Sequence, residues 1–143
     1  MKQITKVMMF VWRERDHRPE FLLVHRRKGD VVTPTGHVER TDKSLEEAAR
    51  RETREEMGVD PIEVINLDYT VKVKLSKMGY LSTEHAFLIK VPENGAKYTE
   101  NDELSSWNKL EELDKLMTYP KQKGAIKNIK KYFRSLKANK LTS

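Results

Sequence analysis

The stretch Gly36–Val59 reads GHVERTDKSLEEAARRETREEMGV, and its second half carries its own start and stop signals. Ser44 followed three residues later by Glu47 makes a capping box, and Gly58 directly after Met57 is a C-terminal stop, so Ser44 to Met57 is predicted to be a helix. At ~100° per residue, Leu45, Ala49, Thr53 and Met57 fall on one small, mostly apolar stripe that faces a core. The neighbouring row holds Ala48, Glu52, Glu55 and Glu56, which crowds three carboxylates into one patch at i, i+3 and i+4 spacing. Like charges so placed repel one another. A divalent cation that prefers oxygen ligands turns that repulsion into attraction. Arg51, four residues after Glu47 and four before Glu55, is placed to neutralise part of the patch and hold a carboxylate, the support that metal ligands usually need. Taken alone, the same patch is also what an ordinary solvated helix face presents.

Thr35-Gly36-His37-Val38-Glu39 is expected to be a turn, with Gly36 allowing backbone to approach a metal or phosphate closely. His37 beside it is a candidate phosphate donor, or an exposed side chain without a role. Upstream, Ile4 to Trp12 is an apolar, β-rich run and Phe21 to His25 a second one, joined by the charged connection Arg13 to Pro19, which suggests a hairpin. Arg26-Arg27-Lys28 closes that hairpin. It reads as a solvated loop end or as a phosphate contact, since arginine offers a planar fork of donors. Val31 to Pro34 is a short strand that Pro34 confines to an edge or an end.

Downstream, Ile65, Leu67, Tyr69, Val71, Val73 and Leu75 alternate with polar residues, the pattern of a long one-sided strand. Lys77-Met78-Gly79 turns the chain, and Tyr80 to Val91 returns antiparallel. His85 lies in phase with Phe87, Ile89 and Val91, which suits a core or base-contacting role better than metal ligation. An acidic loop follows (Glu100, Asp102, Glu103), then a short segment ending at Trp107 and a helix opening at Leu110. Ile126, Ile129, Phe133 and Leu136 recur at helical spacing, so Ala125 to Lys137 is expected to be an amphipathic helix, with fraying from Ala138.

The 143 residues fit one domain, and 35% charged residues against 37% hydrophobic imply a compact core under a very polar surface. There is no cysteine, which excludes disulfides and thiolate metal sites and permits a cytoplasmic setting. No apolar run approaches the ~20 residues that span a bilayer, and no signal peptide is recognisable at the start, so no membrane partner is expected. Residues 121–140 hold eight Lys or Arg and no acid; removing those eight from the net +6 leaves −2 for the rest. Basicity therefore belongs to a C-terminal segment of about residues 121–138. Without aromatics interleaved beyond Tyr132 and Phe133, that segment makes nucleic acid an unexpected partner.

Gly36 together with Arg51-Glu52-Thr53-Arg54-Glu55-Glu56-Met57-Gly58-Val59 resembles the signature of the Nudix hydrolases, a glycine, a spacer and then R-E-aliphatic-x-E-E-x-G-aliphatic. The resemblance implies a single α/β domain over residues 1–143, an α/β/α sandwich with a mixed sheet. It also implies a magnesium- or manganese-dependent pyrophosphohydrolase acting on a nucleoside diphosphate derivative. Gly36, Glu52, Glu55 and Glu56 would hold the metal, with Arg51 orienting a carboxylate. Glu52 or Glu103 would be the base, with Glu100 behind Glu103, and Arg26, Arg27 and His37 are the candidates for substrate phosphates. The GHVE form at Gly36–Glu39 is similar to the turn of dinucleoside polyphosphate hydrolases, while the same fold and box also serve nucleoside triphosphates, nucleotide sugars and capped RNA ends. Two positions depart from the family pattern. The slot eight residues before Arg51, where a Glu is expected, holds Lys43, while counting six forward from Gly36 gives Asp42; and Thr53 replaces a bulky aliphatic. The altered spacer leaves room for a module that senses a nucleotide without cutting it.

Overall fold

The computed structural model describes residues 2–142 apart from Ser76 and Met78, and beyond residue 139 it describes backbone alone. The expected helix forms as α1, Leu45–Met57. Ser44 caps it by accepting from the Glu47 amide at 3.0 Å, while Glu47 Oε2 accepts from the Lys43 amide, one residue before the Ser44 amide that a full capping box would use. Gly58 ends it in the left-handed region at φ 69°, its amide donating to the Arg54 carbonyl. The apolar stripe lies as the periodicity predicts: Ala49, Thr53 and Met57 are buried, joined by Ala48 and by Glu56.

Among the described residues seven strands make one mixed sheet. β1 (Lys2–Arg15) and β2 (Arg18–His25) form the expected hairpin, and it is longer than the apolar runs suggest. The charged Arg13 to Pro19 connection belongs mostly to the strands, because Asp16 and His17 turn the chain in two residues with φ 52° and 62°. β3 (Val31–Val32) pairs with the end of β2, and β4 (Thr35–His37) pairs with β1 through Val7 opposite Gly36. The expected turn around Gly36 is thus strand. The chain between β3 and β4 is pinned by polar contacts rather than by a ladder. Buried Thr33 donates its hydroxyl to the Met9 carbonyl, while the Gln122 side-chain amide accepts from the Thr33 N–H at 3.1 Å and donates to its carbonyl at 3.3 Å. Pro34 supplies no N–H, and its carbonyl accepts from the Met9 amide.

β5 (Glu63–Leu75) and β6 (Tyr80–Lys90) are the expected antiparallel pair, with Met78 of the turn outside the described residues. A bulge between Asn66 and Thr70 places two extra residues in β5, and an even insertion keeps Ile65, Leu67, Tyr69 and Val71 on one face. β6 also runs parallel to β1 over eleven residue pairs, from Lys2 opposite Tyr80 to Trp12 opposite Lys90. β7 (Leu104–Lys109) adds to the free edge of β2, so the segment ending near Trp107 is a strand.

β1 sits central and is apolar on both faces. Val7, Met9 and Val11 pack under α1, and Met8, Phe10 and Trp12 pack on the other side beneath the C-terminal helices. Those are α2 (Leu113–Leu116), α3 (Pro120–Lys123) and α4 (Ile126–Thr142). α4 contributes Ile126, Ile129 and Phe133, the last ring set edge-on to Trp12 at 4.9 Å between centroids. Its apolar side thus covers the sheet as the spacing predicts, although the basic segment is two helices and the second runs on to Thr142 instead of fraying.

Candidate active site

α1 presents its polar row to β4, and Arg51 is the hub of the contacts there. Its Nε and Nη2 donate to the two oxygens of Asp42 at 2.8 and 2.9 Å, and Nη2 also donates to the His37 carbonyl at 2.9 Å. Nη1 donates to Glu52 Oε1 at 3.1 Å and Glu55 Oε2 at 3.2 Å, with Glu39 3.6 Å away. The guanidinium therefore fastens the loop before α1, the end of β4 and two helix carboxylates to one rigid fork. Asp42, whose side chain is 3% exposed, also accepts from the Glu39 amide. Bonding to Arg51 holds its pKa below the ordinary value against the opposing effect of burial, and the same pairing raises that of Arg51 further.

Glu52 lies flat against β4. A Cβ on Gly36 would stand 2.4 Å from Glu52 Cδ and 2.7 Å from Oε2, so the glycine is required by close approach and not by backbone angle. Burial raises the Glu52 pKa, with Arg51 pulling the other way. Glu56, one turn on, is 7% exposed, and its Oε2 is buried with no hydrogen-bond partner. Burial first, then repulsion from Glu52, Glu100 and Glu55, pushes its pKa up to about 8. An unpaired buried carboxylate is costly unless it is protonated or meets a cation.

The chain after β6 closes this side of the helix. The Lys97 and Thr99 amides donate to the carbonyls of Met57 and Glu56, which sets Tyr98 beside Glu56, Glu100 and Glu103. Burial, then those carboxylates, raises the pKa of the Tyr98 phenol. Glu100 is the loop acid that interacts with Glu56; Glu103 instead faces Arg26, whose Nε lies 4.0 Å from its Oε2. Arg26 is held from behind by buried Asp30, which also accepts from the Tyr119 hydroxyl at 2.6 Å. Burial works to raise the Asp30 pKa, but Tyr119, Arg26 and Lys28 together hold it low.

Of the residues expected at the site, Gly36, Arg51, Glu52, Glu55 and Glu56 come together, and Arg26 and Glu103 meet at its border. Arg27 stands apart, 75% exposed, donating to the Asn101 carbonyl. His37 contributes its carbonyl, and its ring is not part of the network. Asp30 and Tyr98 escape sequence reasoning because each owes its position to a contact with a distant segment, and no local spacing signals either. His85 is half-buried on the α1 side of the sheet, its Nδ1 3.1 Å from the Thr70 hydroxyl.

Among the described residues no three His, Cys, Asp or Glu side chains are gathered closely enough to hold a metal ion as they stand. Glu52 and Glu55 are turned toward Arg51 instead. The donor chemistry nonetheless fits a hard divalent cation. Glu56 keeps a buried oxygen without a partner, and Glu52 keeps Oε2 against the glycine strand while Oε1 is tied to Arg51.

The NUDIX domain model matches residues 2–133. No curated protein matches the sequence. Among solved structures, a Listeria monocytogenes protein assigned as a NUDIX hydrolase superposes with a TM-score of 0.79 at 19% identity, over 92% of this chain and 94% of that one. The Caenorhabditis elegans Ap4A hydrolase gives 0.71 at 21% identity, over 93% and 99%. The NUDIX domain of Shewanella oneidensis NrtR, solved in complex with ADP ribose, gives 0.72 at 18% identity, over 93% and 90%; NrtR has also been solved with a 27mer DNA.

Proposed function

The chain belongs to the NUDIX domain family and is a Nudix-type hydrolase of phosphorus-containing anhydrides, and from that premise we propose that it is a magnesium- or manganese-dependent pyrophosphohydrolase cleaving a nucleoside diphosphate derivative, either a dinucleoside polyphosphate or a nucleoside triphosphate. The observation that carries the reading is Glu56, a buried carboxylate with an unpartnered oxygen and a raised pKa at the centre of an acidic patch. Such a group is stabilised by a hard cation, and the Nudix enzymes generally use divalent metal ions.

Glu52, Glu55, Glu56 and the Gly36 carbonyl would hold the metal. When bound, it would neutralise charge building on the phosphate oxygens and lower the pKa of a coordinated water. The chain's own groups prepare that chemistry. Arg51 holds Glu52 and Glu55 through Nη1, and Asp42 holds Arg51; the two carboxylates would turn from the guanidinium toward a bound cation while Arg51 stays fixed beside them. Glu52 remains a candidate to accept the proton of the attacking water, and Glu103 is the alternative base from its loop. Arg26, held by Asp30, supplies a guanidinium beside Glu103 for phosphate oxygens; the exposed Arg27 and the His37 ring are weaker candidates. Tyr98 walls the acidic patch on the loop side.

A panel of dinucleoside polyphosphates, nucleoside triphosphates and nucleotide sugars is incubated with magnesium, and the phosphates released are identified. Hydrolysis of one class at an anhydride bond, stopped by chelator and nearly abolished in Glu56→Gln at unchanged folding, is the expected result. Full turnover without a divalent metal would overturn the metal assignment. Binding across the panel without hydrolysis would favour the nucleotide-sensing module.

A further inference from the structure

Most acids and bases around α1, Glu56 excepted, are paired with one another, but the cations on α3 and α4 are not. Among the described residues, none of Lys123, Lys127, Lys130, Lys131, Arg134 and Lys137 takes part in an ion pair. Four of them, Lys127, Lys130, Arg134 and Lys137, repeat at alternating spacings of three and four, which keeps them on one flank of α4 within an arc of ~80°. All four are exposed. Like charges at this spacing destabilise a helix, so the arrangement is one that an isolated helix would not favour.

At its N-terminal end this flank borders a concavity of about 560 Å³ that Lys123, Lys127 and Lys130 line together with Tyr69, Gly124 and Ile126. Asp114 is the one carboxylate among its lining residues. α4 packs on the face of the sheet opposite α1, so the flank is separate from the carboxylate site.

We propose that this flank binds the phosphate backbone of a nucleic-acid strand, independently of the hydrolytic site. From Lys127 to Lys137 the helix rises ~15 Å, a length in which one strand of a duplex carries four to five phosphates at ~3.4 Å each. This flank of α4 presents four cations over that length, and Lys123 extends the row into the concavity, where Tyr69 offers an aromatic from another element. A helix that binds an anionic membrane needs exposed apolar residues beside its cations. Here Ile126, Ile129 and Phe133 are spent on the core, and among the described side chains of α4 Leu136 is the one large apolar residue that is exposed, at 36%. The sequence argued against nucleic acid because basicity sat in a terminal segment without interleaved aromatics. The fold makes that segment a rigid ridge of the domain and brings Tyr69 to it.

Binding of the full chain to fluorescent single-stranded and duplex oligonucleotides is measured against salt. With five phosphate contacts the slope of log K on log salt is about −3.5 for a single strand and −4.5 for a duplex, so affinity drops roughly 100-fold and 500-fold respectively between about 50 and 200 mM. Lys127→Gln, Lys130→Gln and Arg134→Gln combined should leave two contacts and only about a sevenfold drop for the single strand, with nucleotide hydrolysis and Tm retained. Absence of oligonucleotide binding, or a salt slope unchanged in the triple variant, would overturn the proposal. So would tighter binding to anionic-lipid vesicles or to polyglutamate of matched charge.

Discussion

Asp42 accepts three hydrogen bonds, two from Arg51 and one from the Glu39 amide, and its side chain is 3% exposed. Its place is behind Arg51, which in turn aims Glu52 and Glu55. Asp42→Asn is therefore expected to lower activity by ~10–100-fold, more at low than at saturating magnesium, because mass action refills a weakened site. Lys43→Glu, the residue expected in the other register, should not raise activity, since Lys43 is exposed and Asp42 already holds the arginine. A magnesium titration of kcat for both variants checks this, and an inert Asp42→Asn beside an activating Lys43→Glu would reverse the assignment. Gly36 acts through contact alone. Gly36→Ala should displace Glu52 from β4, since the added Cβ would lie 2.4 Å from Glu52 Cδ. The expected outcome is a fall in kcat of ~100-fold or more, as for loss of an aligned group, with a circular-dichroism spectrum like that of the parent.

At the scale of elements, α1 is held by signals that are local and visible. Ser44, Glu47 and Gly58 delimit it, and the apolar stripe seats it on β1. β4, the strand it faces, is not a local structure at all. Three residues after a proline cannot hold a strand by propensity; β4 is held by its ladder to β1, and the chain leading into it by Thr33, which is bonded to Met9 and to the buried side chain of Gln122, eighty-nine residues on. Gln122→Met keeps the volume but strands the Thr33 N–H and carbonyl, at a cost of ~1–3 kcal/mol. A Tm lower by ~2–4 °C per kcal/mol is expected for a chain of this length. Faster amide exchange in β4, measured by mass spectrometry, would accompany it, whereas unchanged exchange would show that the Gln122 pin is not what holds the strand.

For the whole molecule, the acidic patch makes stability depend on pH in a way that metal should reverse. The Glu56 pKa is raised from 4.5 to about 8 on folding, so the folded state holds its proton more tightly than the unfolded chain. Its contribution to metal-free stability is full below pH 4.5 and is lost as pH rises to about 8. Asp42 and Asp30 work in the opposite sense: their lowered pKa values give stability that is present above 3.8 and lost on acidification below it. Tm of the chelated protein should thus fall from about pH 5 to about pH 8. Magnesium should raise Tm more at the upper end, because binding must displace the Glu56 proton. Glu56→Gln should flatten the alkaline fall, and a chelated Tm that stays level across this range in the parent would refute the role of Glu56. Local pattern along the chain specifies α1 and its caps, the carboxylate row, the β1–β2 hairpin, the β5–β6 pair and the apolar side of α4. Each of these rests on spacings of two to four residues, which a linear chain displays directly. Tertiary structure alone decided the parallel pairing of β1 with β6, the addition of β7 to β2, and the strand at Gly36. It also decided the partnership of Asp30 with Arg26 and Tyr119, the setting of Tyr98 against Glu56, and the isolation of one oxygen of that carboxylate. These depend on which distant segments share a desolvated space, where an unpaired polar group costs enough to select its neighbour.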